Sequence, residues 1–417
     1  MRLDELKGQT VAFAASGGLD SCTITRWLTE NGVRVVCVCA DLAQPDEPDF
    51  DAIRRRMLAS GADEFVSLPL HDAIAEAGIR LIQAQACYEG RYWNTTGIGR
   101  HVIVAGMVPE MHRRGIRILS HGATGRGNDQ VRFQLATNML APGFEVYAPW
   151  RDEAFLDRFR GRSEMIDFCR ERGLPIKATK DTPYSTDANL LGLTHEAGKL
   201  ESLQTPPTFV TPEMGVLPAV APDRPETVSV RFEEGRPVAL NGEMVSAYQA
   251  LAQANRIGGR HGVGICYHLV ENRFVGIKSR GVYEAPGMEL LGTAYDLLLQ
   301  LVLDRRAREL FHQLSALIGR QVYQGYGFDL ASRMAQEALR PAVRLITGTV
   351  TVTLYKGHVT FESVTDAPHS LYSEANASME AIGEFDHADS EGLLRVLSVG
   401  ARALAAAGQI DPAGGPA

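Results

Sequence analysis

Three groups of residues have the types and spacing to hold a small polar, charged molecule. The first is Ser16-Gly17-Gly18-Leu19-Asp20-Ser21. Its adjacent glycines let the backbone approach a ligand, its hydroxyls add donors, and free N–H groups at a following helix N-terminus attract anions. The second runs from Ser120 through Gly122, Thr124, Gly125, Arg126 and Gly127 to Asn128 and Asp129. Arg132 follows within one turn and suits bidentate capture of a carboxylate or phosphate. The plain alternatives are helix caps for Asn128 and Asp129 and a surface ion pair for Arg132. The third group is mostly neutral: Tyr92, Asn94, Thr95 and Thr96 ahead of Gly97-Ile98-Gly99-Arg100. It suits an uncharged group such as a urea, or is simply a capped loop. Downstream, Lys180-Asp181-Thr182-Pro183-Tyr184-Ser185-Thr186-Asp187-Ala188-Asn189 and Thr194-His195-Glu196 crowd carboxylates, hydroxyls and amides into one connector, a density that suits a zwitterionic amino acid. No nucleophile stands out. Cys22 reads as structural, and His121 and His195 lack a Cys or Ser partner.

Both glycine groups must lie where a strand hands over to a helix. Val11–Ala15 is a short apolar run, and Ile24, Trp27 and Leu28 mark one face of a helix that Gly32 can end. Arg117–Ser120 leads into the second loop and a helix over Gln130–Met139 leaves it. Between them the pattern predicts a strand at Val33–Cys39, a helix at Phe50–Ser60, a strand at Phe65–Leu68, and helices at His71–Ala86 and His101–Arg114. This alternation predicts an α/β fold with a parallel sheet covered on both faces and ligands at the strands' carboxyl ends. The rhythm changes near Pro149–Arg162. A long helix is expected at Ala154–Arg172, then little periodicity over Thr179–Gly198 and a connector rich in proline from Pro206 to Pro225. A hairpin around Glu234-Gly235, helices at Glu289–Ile318 and Leu330–Leu345, and a hairpin at Thr349–Val364 make an α+β region. A last helical pattern covers Ser390–Ala406 and packs either on its own chain or on a neighbouring subunit.

With 417 residues, the chain suggests two or three domains, and its 45 % hydrophobic content allows ample core. A net charge of −8 gives no electrostatic footprint for nucleic acid. Six cysteines without a C-x-x-C pair argue against zinc or a disulfide framework. Met1–Glu5 opens no apolar leader and no stretch reaches membrane-spanning length, so the expected location is the cytoplasm.

The first loop is neither a Walker A sequence nor G-x-G-x-x-G. It resembles the S-G-G-x-D-S/T loop of ATP pyrophosphatases. Ser16–Ser21, Tyr92–Arg100, Gly122–Arg132 and Tyr184–Glu196, with Asn255–Gly262 and Val270–Gly287, together resemble the signature blocks of the argininosuccinate synthase family. The resemblance implies a Rossmann-like ATP-pyrophosphatase domain over 1–172, an α+β synthetase and multimerisation domain over 173–365, and a tail over 366–417 whose helix embraces another subunit of a homotetramer. It implies ligation of citrulline and aspartate through citrullyl-AMP, releasing AMP and pyrophosphate, with ATP bound as its Mg²⁺ complex and the ion held by phosphates rather than by protein ligands. Ala14, Ala15, Ser16, Gly17, Gly18, Leu19, Asp20, Ser21, Cys22, Ala40, Gly122, Thr124, Asp129 and Asp187 would meet ATP. Thr124, Asn128 and Asp129 would bind aspartate. Tyr92, Asn128, Arg132, Ser185, Thr194, Glu196, Glu271 and Tyr283 would line the citrulline site. No acid or base is implied; Asp20, Asn128, Asp129 and Arg132 would position the reactants, because attack at phosphorus depends mainly on alignment and charge neutralisation.

Four departures from the family pattern stand out: Ala15 for an aromatic, Ser21-Cys22 for Thr-Ser, Gly97 for Pro, and Arg126 for Lys. They leave open a paralogue with the same chemistry on another ureido and amino substrate pair, or a silent binding homologue.

Overall fold

The computed structural model describes residues 1–176, 183–380, 383–384 and 386–411, which form two compact units, 1–369 and 370–417. In the first unit, strands β1 (Thr10–Ala14), β2 (Arg34–Asp41), β3 (Glu64–Pro69), β4 (Ile118–His121) and β5 (Glu145–Tyr147) form a parallel sheet in the order β3-β2-β1-β4-β5. The order reverses between β1 and β4, and both glycine loops leave the sheet there. A crevice at such a switch point is where open α/β sheets take their ligands. Val11, Phe13, Val35 and Cys37 pack with Ile24 and Leu28 of the helix Leu19–Glu30 on one face of this sheet. Val36, Val38 and Leu119 pack with Val104, Met107 and Phe133 on the other.

Two antiparallel sheets follow. Strands β6 (Ser185–Asn189), β7 (Gly192–Glu196), β11 (Tyr267–Asn272) and β12 (Lys278–Glu284) pair in the order β11-β12-β7-β6. Between them in the chain come β8 (Glu226–Glu233), β9 (Arg236–Leu240) and β10 (Glu243–Met244), which join β13 (Gly348–Tyr355) and β14 (His358–Thr365) in the order β10-β9-β8-β13-β14. Inward residues of that second sheet, Val228, Val230, Phe232, Val350 and Val352, share a core with Leu291, Tyr295 and Leu298 of the helix Pro286–Val302. The fold is therefore the expected α/β sheet with an α+β region behind it.

Several elements differ from the sequence reading, each for a local reason. The helix expected from His101 begins at Thr95. Gly97 and Gly99 look like loop residues, yet a Cβ on them would stand 3.4 Å from Arg132 and 3.2 Å from Asn189, so small residues permit close packing. The long helix expected at Ala154–Arg172 is two, Glu153–Arg158 and Arg162–Glu171. The break lets fully buried Phe159 meet both Phe155 and Phe168. The helix expected at Glu289–Ile318 is likewise two, Pro286–Val302 and Arg305–Gln324, because the Asp304 carboxylate accepts from the Ala307 N–H and starts a new helix. The stretch with little periodicity contains the β6–β7 hairpin, and the helix Ala247–Arg260 and strands β11 and β12 were not anticipated. Lys180, Asp181 and Thr182 lie outside the described residues.

The second unit, by itself, holds a short helix Glu374–Ala377 and the helix His387–Ala406, whose Leu393, Leu394, Val396 and Leu397 are exposed. Among the described residues no helix is long and apolar enough to cross a membrane.

Candidate active site

A cavity of about 880 Å³ opens where the parallel sheet's rim meets the β11-β12-β7-β6 sheet. From the parallel half it takes Asp20, Gly122, Thr124, Asn128, Asp129 and Arg132; from the antiparallel half, Ser185, Asp187, Thr194, Glu196, Glu271 and Tyr283. Tyr92 joins them from the loop before the helix Thr95–Arg114. Thirteen of the expected site residues therefore share one wall system.

The other nine do not line this cavity. Ser16 and Gly18 are exposed at the end of β1, Ala14 and Ala40 are half-buried at the ends of β1 and β2, and Ala15, Gly17, Leu19, Ser21 and Cys22 are buried. The first loop is closed on itself. The Ser16 N–H donates to Ser21 Oγ at 3.0 Å, the two hydroxyls lie 3.3 Å apart, and the Gly18 N–H reaches Ser16 Oγ at 3.4 Å. Beneath it, buried Arg56 donates from Nε to the Gly17 carbonyl at 3.1 Å and pairs with Glu47 at 2.9 Å. Cys22 points into the core with its thiol pushed up by burial, so any service it gives a ligand is through backbone.

Charge is concentrated in the second loop. Arg100, just over one turn beyond the Thr95–Thr96 helix start, places Nη2 2.9 Å from Asp129 and also pairs with Asp187. Arg132 Nη1 lies 2.8 Å from the other Asp129 oxygen. Burial alone would raise Asp129, but Arg100 and Arg132 outweigh it and hold the carboxyl down to about 2. Asp187 goes the other way: burial pushes it up, repulsion from Asp129 adds to that, and Arg100 only partly compensates. Asp129 is thus the permanent anion of the network and Asp187 the one that gains a proton first. Neither Asn128 nor Asp129 caps its helix by a side chain; Asn128 Oδ1 instead accepts from the Phe274 N–H at 2.9 Å, tying the loop to the β11–β12 turn. Asp20 accepts from the Trp150 indole at 3.0 Å, yet burial still pushes its carboxyl up.

On the antiparallel side, the Tyr92 hydroxyl accepts from the Thr96 N–H at 3.0 Å, and Thr96 and Thr194 hydroxyls lie 3.1 Å apart. Glu196 keeps about half its side chain open to the cavity, near Arg273 at 3.7 Å. Burial in the cavity wall and the neighbouring Asp129 carboxylate push it up to about 7. Next to it in sequence, His195 is fully buried; its Nε2 is bonded to Glu284 at 2.5 Å and its Nδ1 has no hydrogen-bond partner among the described residues. His121 likewise stacks on Phe133 and accepts from the Ala123 N–H.

Sequence reasoning assigned no role to Arg100, Arg273, Lys278 or Arg280, although all but Arg100 line the cavity. A signal did exist for Arg100: it stands four residues after Thr96, on the same helical face.

An α/β parallel sheet whose switch-point rim is closed by a second, charge-bearing sheet defines the class. Matches to known proteins are more specific. Residues 10–175 match the "Arginosuccinate synthase N-terminal HUP domain" and residues 184–404 the "Arginosuccinate synthase C-terminal domain". Over 406 residues the chain is 40 % identical to an argininosuccinate synthase of Rhodopirellula baltica, covering 97 % of this chain and 99 % of that one. It is 37 % identical over 394 residues to one from Thermotoga maritima, at 93 % and 95 % coverage, and 38 % identical over 401 to one from Desulfitobacterium hafniense, at 96 % of both. The chain belongs to the argininosuccinate synthase family.

Proposed function

We propose that this chain ligates citrulline to aspartate at the expense of ATP, an enzyme of arginine biosynthesis. The observation that carries the reading is that thirteen of the residues the family pattern assigns to ATP, aspartate and citrulline converge on the one cavity, around the Arg100–Asp129–Arg132 network. In this reading citrulline lies against Tyr92, Arg132, Ser185, Thr194, Glu196, Glu271 and Tyr283, with neutral hydroxyls facing the ureido group and charged side chains facing its amino-acid end. Its ureido oxygen attacks the α-phosphorus of ATP, the bond to the β-phosphate oxygen breaks, and pyrophosphate leaves. Aspartate, held by Thr124, Asn128 and Asp129, then attacks the activated ureido carbon through its amine and AMP departs. The loop Ala14–Cys22 with Ala40, Gly122 and Asp187 holds the nucleotide. Its hydroxyls, satisfied by its own backbone, keep it preorganised, and its exposed Ser16 and Gly18 face the strand-end rim.

A Mg²⁺ ion would arrive with the triphosphate and neutralise charge on the leaving pyrophosphate. The Asp20 carboxylate on the cavity wall is the kind of oxygen donor such an ion accepts. Residues 1–172 act as the nucleotide domain and 173–365 as the synthetase domain. The exposed leucines and valines of His387–Ala406 favour burial of the 366–417 tail against another subunit, as in a homotetramer. A cytoplasmic location fits six cysteines that are all free.

The test is pyrophosphate release from Mg-ATP. It should require citrulline, and argininosuccinate should form only once aspartate is added. Turnover with a different acceptor and none with citrulline would replace this reading by that of a paralogue.

A further inference from the structure

Behind the cavity lies a residue that none of the signature blocks contains. Tyr323 ends the helix Arg305–Gln324 and is fully buried. Its hydroxyl donates to the Glu271 carboxylate. Its backbone carbonyl accepts from Arg132 Nε at 2.9 Å, and the guanidinium carbon sits 5.0 Å from its ring centroid. The ring is fixed in turn: Tyr88 stacks on it at 3.5 Å with a 5° interplanar angle, and Tyr92 meets it edge-on at 6.4 Å. Tyr323 does not itself line the cavity, whereas Glu271, Arg132 and Tyr92 do. One side chain therefore touches an anion from β11, a cation from the helix Asp129–Leu140 and an aromatic from the loop before Thr95.

We propose that Tyr323 is a positioning residue of the citrulline pocket, fixing Glu271 and Arg132 at the separation that a bound amino acid needs. This rests on the functional reading above. A bare packing role would need only the ring. The hydroxyl is the added element, and it points at the one carboxylate of the tyrosine cluster that faces ligand. Glu271 is surrounded by Tyr323, Tyr88 and Tyr92, by Arg132 and Arg273, and by Glu89 and Glu196. Burial raises its carboxyl, and the bond from Tyr323 is the first of the interactions that lower it again. Burial and then Glu271 push the phenol itself upward, so it stays protonated and remains a donor.

Tyr323→Phe keeps the stack and deletes the hydroxyl. The expected result is a rise of about tenfold in KM for citrulline, the size of a lost hydrogen bond to a charged group. KM for ATP and aspartate, and kcat at saturating citrulline, should stay within about twofold. Measured in a Glu196→Gln background, where Glu196 no longer titrates, the acid limb of kcat/KM for citrulline should move to higher pH on Tyr323→Phe, since Glu271 loses a donor to its ionised form. In a Glu271→Gln background the same substitution should add almost nothing, and this cycle holds even if Tyr323→Phe lowers thermal stability. An unchanged citrulline KM and acid limb in Tyr323→Phe would overturn the inference while leaving the functional reading intact. A wild-type enzyme that shows no citrulline-dependent pyrophosphate release would overturn both.

Discussion

The two glycine loops leave neighbouring strands at the same rim, yet they are held by opposite means. The Ser16–Ser21 loop is braced from within its own sheet, by its own hydroxyls and by Arg56 from the helix Phe50–Ala59. The Gly122–Asp129 loop has short-range bonds, from the Ala123 N–H to His121, from the Gly127 N–H to the Thr124 carbonyl and from Gln130 to the Gly125 carbonyl, but its charged end needs more. It is held by charge and by partners from elsewhere: Arg100 on another helix, Asp187 on β6 beyond it, and the Phe274 amide of the β11–β12 turn. A loop braced locally is a rigid receptor for one ligand. A loop braced by distant elements reports to all of them, so its occupancy and the placing of the second sheet are one event.

The largest expected effect tests that second arrangement. Asp129→Asn leaves Arg132 and half of Arg100 without a counter-ion in a buried setting, and should cost about 3–5 kcal/mol of stability. Denaturant unfolding would measure it, with loss of turnover alongside. Because Asp129 is depressed to about 2 in the folded chain, its contribution is complete above the ordinary carboxylate range and fades as pH falls through that value. The variant's stability should lose that part of the acid dependence; an unchanged acid profile would mean the network matters little.

Gly17→Ala probes the first loop. Gly17 has φ +79°, and a Cβ there would stand 2.9 Å from Ile53 Cγ2 and 3.0 Å from Arg56. About 1–3 kcal/mol of destabilisation should follow, with KM for ATP rising more than KM for either amino acid. Equal rises in all three would show that the loop is not locally braced. Ser21→Ala removes the bond to the Ser16 N–H and the contact with the Ser16 hydroxyl, and should cost about 1 kcal/mol, again with the nucleotide KM as the moving parameter.

The smallest effect is a change of slope. With Glu196 raised to about 7, its carboxylate is lost as pH falls through neutrality, so citrulline binding should weaken there. Glu196→Gln should flatten that limb; a limb that persists in the variant assigns it to another group.

How much was legible beforehand follows the same division. Four of the five parallel strands were readable as short, largely apolar runs and the two ligand loops by glycines at the handover, whereas β5, only three residues long, was not. The second half was harder. Strands β6, β7 and β12 mix Ser, Thr, Asp, His, Glu and Lys, because alternate residues face a polar cavity rather than core, and such strands look like loops. Gly97 and Gly99 hid a helix start for a related reason: they serve close packing, which only the folded neighbour reveals. Thirteen of the residues carried by motif line the one cavity and nine do not, whereas Tyr323 touches its wall from behind and leaves little trace in spacing.

The shared guanidinium of Arg100 also bears on how the molecule is assembled. One of its partners, Asp129, follows β4 in the parallel-sheet half of the chain, and the other, Asp187, arrives only with the β6–β7 hairpin. A fragment ending before that hairpin would carry a cation with an acid missing, and the remainder would carry a buried-to-be acid with no cation. Neither piece would be electrically complete, so the catalytic crevice can mature only after translation has passed the junction.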